Sequence, residues 1–441
     1  MVIGAGTSLE PPTCLRLSAH YAEDAHRRLL ADGILTEPCA EPSDLSHVAD
    51  KVYECRGSQE ELIRVLPRAE FLQATPNEGH LLAAAMLLEG AISNCLNLNY
   101  DLAMSNALAN LGARGKVAII QGPEHHAELG RTNLIYLHRS ANSDPEAWIL
   151  RSSVINDAWR DGWEEVITNM VLTSPVVVFV GLGSPAAVLT ESVRKIRAAL
   201  RDAYSVFFVG PSEPGGSPFF AQLQLPEDAG IEMGWVEFMQ ALSQRLVEEH
   251  KSQLIEACHL LSNQLELNEE GAPSICDRLA MKGLYHLGCC RAFWTEDDAP
   301  FTESSPDRHR WMADFVLAIA LIERIGNCTA HLNDDGTVEF RDDQRILSVV
   351  VLAHGRGILR WPAMEERIVR NEARWRGRNP IPTSAIIGGV TGPRAADSAA
   401  PINIVGRDPE GSIVSGPTAM RLLSIDELRA DPACVTEILE R

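Results

Sequence analysis

The run Ser174-Pro-Val-Val-Val-Phe-Val180 constrains the fold of this chain more than any other stretch. An unbroken series of mostly β-branched apolar residues predicts a strand buried on both faces, because a strand with one wet face alternates apolar and polar positions. It ends in Gly181-Leu182-Gly183-Ser184-Pro185, and a helical stretch from Val188 to Leu200 follows. The same succession recurs along the first half. Val2-Ile3 precede Gly4-Ala5-Gly6-Thr7-Ser8, and a short strand runs into Asn97-Leu-Asn-Tyr-Asp101 and then a helix. Further strands are expected at Lys116–Ile120, Asn133–Leu137, Ser205–Val209 and Ile231–Trp235. Alternating strands and helices over residues 1–246 predict an α/β fold with a doubly wound parallel sheet.

Composition narrows what such a chain does. It has 441 residues, enough for two or three domains, with 45% hydrophobic and 22% charged residues, as in a globular protein with a real core. A net charge of −21 disfavours non-specific attraction to nucleic acid or anionic lipid for the molecule as a whole. The ten cysteines are scattered and form no Cys-x-x-Cys pair, which suggests reduced thiols and supports no structural zinc site. No basic-then-apolar leader opens the sequence, so a cytoplasmic location is expected. The apolar run Phe315–Ile322 lies between Asp314 and Glu323. It is far below the roughly 20 residues of a membrane span and reads as a buried helix.

In an open α/β sheet, ligands bind outside the carboxyl ends of the strands. Four groups of residues stand there. The first is the Gly4–Ser8 turn, whose glycines let backbone approach a pyrophosphate while the next helix offers N–H groups; a tight turn explains them equally well. The second is Asn99 and Asp101, which taken alone read as helix caps. The third is His138 after Asn133–Leu137, and the fourth is the Gly181–Ser184 loop. His80, at the start of a helix ending at Gly90, reads as structural. The strand before Gly4 is short enough to suggest a missing upstream residue or two.

These residues resemble, in order, the motifs of the sirtuin family: GAGTS at 4–8, PNEGH at 76–80 running into LNLNYD at 96–101, LIYLH at 134–138, and VVVFVGLGS at 176–184. The resemblance is closer to bacterial sirtuin-like NAD-consuming domains than to the protein deacylases, and it covers residues 1–246. It implies that Gly4, Ala5, Gly6, Thr7 and Ser8 form a first phosphate-binding loop. Asn99 and Asp101 become catalytic with Tyr100 between them in the NAD site, His138 is the catalytic histidine, and Gly181, Leu182, Gly183 and Ser184 hold the adenosine side. Several departures stand out. Arg139 replaces the family's usual glycine after the histidine. EPPTCLRL replaces the Asp-Phe-Arg of deacylases. No cysteine lies between His138 and Gly181, where deacylases carry a four-cysteine zinc module.

The resemblance therefore implies an NAD+ hydrolase, with NAD as substrate and no zinc or other metal. The alternatives are an NAD-dependent deacylase or ADP-ribosyltransferase, and a non-catalytic nucleotide-binding subunit. His138, with an imidazole near its ordinary pKa of about 6.5, would relay a ribose-hydroxyl proton. Asn99 would position the ribose or the attacking water, and Asp101 would orient the nicotinamide amide or hold Asn99. An uncontrolled hydrolase would poison its cell. Regulation, a role in antiviral defence, and a homo-oligomer or a separate sensor or ATPase subunit are thus implied by the family, with no membrane partner.

Residues 247–275 read as a long helix and linker, and residues 276–441 as an α+β regulatory or partner-binding domain. Helices are expected at Cys276–His286 and Asp307–Ile325, and strands near Thr329–Leu332, Gly336–Phe340 and Ile346–Ala353, with Asn333-Asp-Asp-Gly as a hairpin. Cys289-Cys290 reads as two buried thiols. Arginines at 356, 360, 367, 370, 374, 376 and 378, interleaved with Trp361 and Trp375, make either a solvated helix face or a docking surface for an acidic subunit or nucleic acid. From Gly388 to Ser415 the chain reads as a Gly/Pro-rich loop ahead of a short strand and helix.

Overall fold

A computed structural model describes residues 1–111, 116–183, 187–213, 216–295, 306–354, 381, 383–388 and 421–439. The chain divides into two units, Met1–Leu242 and Ser243–Arg441, with the boundary inside the helix Trp235–Gln264.

The first unit is built on seven strands: β1 (Val2–Ile3), β2 (Asn94–Asn97), β3 (Ala118–Ile120), β4 (Asn133–Tyr136), β5 (Val176–Val180), β6 (Ser205–Gly210) and β7 (Gly230–Glu232). Every pairing is parallel, in the order β3-β4-β2-β1-β5-β6-β7. The chain first winds outward from β1 to β2, β4 and β3. It then crosses back over β1 to lay down β5, β6 and β7. β1 is therefore the strand at which winding reverses, and the switch point lies at its carboxyl end, between β1 and β5. Register brings the three strand ends level, because Ile3 stands opposite both Asn97 and Val180.

The apolar runs form these strands because helices cover both faces of the sheet. Val2, Leu96, Ile135 and Phe179 are fully buried in one cluster. Val176 departs from the expectation of a wholly buried run: as the first residue of β5 it is 56% exposed. The helices Ser18–Ala31, Leu45–Arg56 and Glu60–Val65 have a core of their own, in which Leu29, Val48 and Leu62 pack with Trp148 and Leu150 from the segment after His138. Between β4 and β5 stand two helices, Ser152–Asp161 and Trp163–Leu172. They are separated at Gly162, whose backbone is extended.

The second unit carries a mixed sheet in the order β12-β11-β10-β9-β8. β8 (Thr329–Leu332), β9 (Thr337–Arg341) and β10 (Ile346–His354) are antiparallel. β11 (Thr383–Gly388) and β12 (Arg421–Ser424) join in parallel. The hairpin at Asn333–Gly336 has Gly336 at φ +81°, as its turn requires. The segment expected as one helix, Cys276–His286, belongs to two helices, Ala272–Met281 and Gly283–Thr295, broken where Gly283 adopts φ +80°. β11 has no counterpart among the expected strands. The run Phe315–Ile322 is the buried stripe of the helix Pro306–Gly326. The arginine-rich stretch 356–378, with Trp361 and Trp375, and the Gly/Pro-rich tail at 389–415 lie outside the described residues. Among the described residues no helix is long and apolar enough to cross a membrane.

Candidate active site

The site is assembled from the carboxyl ends of β1, β2, β4 and β5. Gly4 N–H donates to the Val180 carbonyl at 3.0 Å and Gly6 N–H to the Gly181 carbonyl at 2.9 Å, so the two glycine segments run against each other. Their contact is backbone on backbone. A Cβ on Gly4 would lie 2.5 Å from Leu182 Cδ2, and one on Gly6 would lie 2.7 Å from Gly181 Cα. Gly181 itself has φ +69°. Close packing therefore accounts for Gly4, Gly6 and Gly181. Gly183 differs: nothing lies within 4 Å of a Cβ placed there. Leu182 is a core residue, and Ser184 lies outside the described residues. Ala5–Ser8 form a 3-10 turn rather than the start of an α-helix; the next helix begins only at Ser18.

Asn99 is turned onto that glycine segment. Its Nδ2 donates to the Gly4 carbonyl at 3.1 Å and to Thr7 Oγ1 at 3.4 Å, while its own N–H donates to Asn97 Oδ1. It is not a helix cap. Its Oδ1 has no partner among the described residues. Asp101 does engage the following helix, accepting from Ala103 N–H at 3.0 Å, and its Oδ2 accepts the Ser8 hydroxyl at 3.0 Å. It does not hold Asn99, as the sequence reading had allowed. Burial pushes its carboxyl above the ordinary aspartate value, against the pull of those donors.

Tyr100 and His138 form the next part of the site. The Tyr100 ring stacks on Trp148 with centroids 4.7 Å apart and planes within 6°, and its hydroxyl donates to the Ile149 carbonyl at 2.8 Å. His138 lies between Tyr100, at 6.4 Å, and the edge of Trp159, at 6.2 Å. The ring is partly buried, and its Nε2 is sealed from solvent with no hydrogen-bond partner among the described residues. Burial, helped by the neighbouring Arg139 charge and opposed by the Leu98 carbonyl, lowers the imidazole pKa to about 4. This corrects the expectation of an unperturbed histidine: at neutral pH the ring is uncharged and Nε2 is a ready acceptor.

Sequence reasoning missed the residue that ties the site together from behind. Asn77, fully buried, donates from Nδ2 to the Thr7 carbonyl at 2.9 Å, and its Oδ1 accepts from His80 N–H and from Trp235 Nε1. His80 Nδ1 accepts the Asn77 N–H at 3.3 Å, completing a capping box. The signal was present, since a capping box needs a partner at the third helical position. Histidine in that role departs from the usual Glu or Gln.

No family model and no curated protein matches the sequence. Among solved structures, a Sir2 homologue–NAD complex aligns at 16% identity over 55% of this chain and 86% of that chain, with a TM-score of 0.31. A Sir2 bound to an acetylated peptide aligns at 15% identity over 55% of this chain and 91% of that chain, with a TM-score of 0.30. The N-terminal unit is similar to sirtuins. The geometry of the strand ends is established independently of that overlap.

Proposed function

We propose that the chain is an NAD+ glycohydrolase that cleaves the nicotinamide–ribose bond, with water as acceptor, to nicotinamide, ADP-ribose and a proton. The observation that carries this reading is the Nε2 of His138, a buried acceptor without a hydrogen-bond partner among the described residues, just beyond the carboxyl end of the parallel strand β4. A buried polar atom left unpaired costs about 1–3 kcal/mol, and at a strand end such an acceptor is suited to the donor of a ligand that enters beside it. A ribose hydroxyl is such a donor. Asn99, fixed through Nδ2, turns a free carbonyl oxygen to a second hydroxyl or to water. Gly183, where an added Cβ would meet nothing within 4 Å, suits the approach of a ligand beside the switch point.

Bond cleavage proceeds through an oxocarbenium-like state in which positive charge develops on the ribose. His138, uncharged, accepts the hydrogen bond of the ribose hydroxyl and takes on its proton as charge develops, then returns it to solvent. Asn99 orients the water that adds to the ribose carbon, and Asp101 holds Ser8 and with it the end of the glycine turn. The absence of cysteine between His138 and Gly181 supports hydrolysis over protein deacylation. Control by the second unit or a partner subunit, in an antiviral role, belongs to the same proposal and rests on the sequence resemblance.

The test incubates the full chain and His138→Ala with NAD+ and follows nicotinamide release, with nucleotide binding measured separately. Release by the wild type, lost in the variant while binding persists, is the expected outcome. Equal turnover in both, or none by the wild type under any trigger, defeats the proposal.

A further inference from the structure

The residue after His138 adopts a backbone conformation that few side chains accept. Arg139 has φ +74°, in the left-handed region where glycine is the usual occupant. Its side chain shows what holds it there. Nη1 donates to Glu164 Oε1 at 2.9 Å, and the two side chains are only 13% and 5% exposed. The same Nη1 reaches the Leu137 carbonyl at 3.4 Å, and the guanidinium lies 5.7 Å from the Trp163 ring centroid. Trp163 and Glu164 open the helix Trp163–Leu172. The glycine before them has no room for a side chain, because a Cβ on Gly162 would sit 2.5 Å from the Ala158 carbonyl and 2.9 Å from Glu164 Oε2. Trp159, in the preceding helix, is the residue whose edge meets the His138 ring. The break at Gly162 thus sets one helix against the imidazole and the next against Arg139.

We propose that Arg139 is a positioning residue: its buried pair with Glu164 holds the left-handed backbone at 139 and so fixes the His138 imidazole between Tyr100 and Trp159. The inference rests on reading His138 as the catalytic base and adds how that base is aimed. A loosely held left-handed arginine would relax toward the right-handed region and carry the preceding carbonyl and side chain with it. The pair prevents this, since breaking it leaves a carboxylate buried without a partner. The arrangement also brings a fixed positive charge beside the ring. Among the described residues the other titratable ring facing His138 is Tyr100, whose hydroxyl burial keeps protonated, so Arg139 is the charge that acts on the imidazole.

The decisive variant is the double substitution Arg139→Ala with Glu164→Gln, which removes the pair that holds the left-handed backbone and leaves no unpaired carboxylate; Arg139→Lys is the conservative control. Folding is checked by thermal unfolding, and His138 is followed by histidine NMR titration alongside nicotinamide release. The double variant is expected to fold and to keep KM within about threefold while kcat falls by about a hundredfold. Its His138 titration is expected to move up from about 4. Arg139→Lys should keep the low titration and recover part of kcat. An unchanged kcat and an unmoved titration in the double variant overturn the positioning role while leaving the hydrolase reading intact. If the wild type itself releases no nicotinamide, the hydrolase reading fails, and the titration alone then decides whether Arg139 governs His138.

Discussion

Ser8 and Asp101, one at the end of the first glycine turn and the other beyond β2, are joined by a buried hydrogen bond of 3.0 Å across 93 residues of chain. Asp101 is 6% exposed and its carboxyl titrates above the ordinary aspartate value because burial outweighs its two donors. A carboxyl raised in the folded state favours folding most below its unfolded pKa of about 3.9, and that contribution is lost as pH rises through the folded value. The Ser8 donor offsets part of this loss when the group is charged. Ser8→Ala should therefore cost about 1–3 kcal/mol at pH 7 and clearly less at pH 4. Denaturant unfolding of both proteins at both pH values measures the difference; an equal cost would mean that the bond does not serve the carboxylate.

The glycines of the two facing segments divide by what surrounds them. Gly6→Ala places a Cβ 2.7 Å from Gly181 Cα, where backbone meets backbone and neither side can give way cheaply. A loss of about 1–3 kcal/mol is expected. Gly183→Ala meets nothing within 4 Å and should leave the melting temperature unchanged. If the open space at Gly183 serves a dinucleotide, the same variant weakens NAD+ binding while stability holds. A melting point for Gly6→Ala equal to that of the wild type would remove the packing account of the first turn.

His80 gives the first unit a pH limit of its own. Burial lowers its pKa to about 3, and its Nδ1 accepts the Asn77 N–H, a role only the neutral ring can fill. With the folded value depressed below the unfolded value of about 6.5, the stabilisation is complete above that pH and is lost as pH falls toward the folded value. Each such group costs about 1.4 kcal/mol per pH unit inside that window. His138, lowered for the same reason, adds to the slope. His80→Gln retains an acceptor suited to a capping box, so it should flatten the decline in melting temperature between pH 6 and pH 4.5. A slope identical to the wild type would show that another group carries the acid sensitivity.

In the second unit the corresponding junction is between Arg278 and Glu323. The guanidinium donates to both carboxylate oxygens, at 2.7 and 2.9 Å, and to the Ala330 carbonyl at 2.6 Å, while Glu323 accepts the Ala330 N–H. The pair fastens the helices Ala272–Met281 and Pro306–Gly326 to the start of β8. Glu323→Ala is expected to cost about 2–3 kcal/mol, from the lost bidentate pair and the freed backbone donor. Differential hydrogen exchange should place the loss at β8 first; exchange that rises evenly along the unit would argue against a local junction.

Much of this architecture was legible in residue order, for a definite reason. Buried parallel strands need apolar runs on both faces, and the turns after them need glycine or small polar residues. The stretches at Val2–Ile3, Asn94–Asn97, Asn133–Tyr136 and Val176–Val180 therefore declared themselves, with the candidate residues at their carboxyl ends. Position 139 carried a signal as well, since an arginine stood where the resemblance led us to expect glycine. Other features depend on partners far away in sequence. β11 became a strand because β10 offered it an edge, whereas the break at Gly162 is local, crowded by the Ala158 carbonyl and the Glu164 carboxylate.

The linear sequence by itself determined the strand–loop–helix order of the first unit and placed Asn99, Asp101 and His138 where strands end, because periodicity and turn chemistry are local properties. Only the tertiary structure decided what those residues do for one another. It gave Asn99 to the Gly4 carbonyl and Asp101 to Ser8, drove the His138 imidazole to its uncharged form, and locked Arg139 to Glu164. Burial, the meeting of backbones and the pairing of charges arise from contacts between segments far apart along the chain, which only the folded arrangement of the sheet and its helices creates.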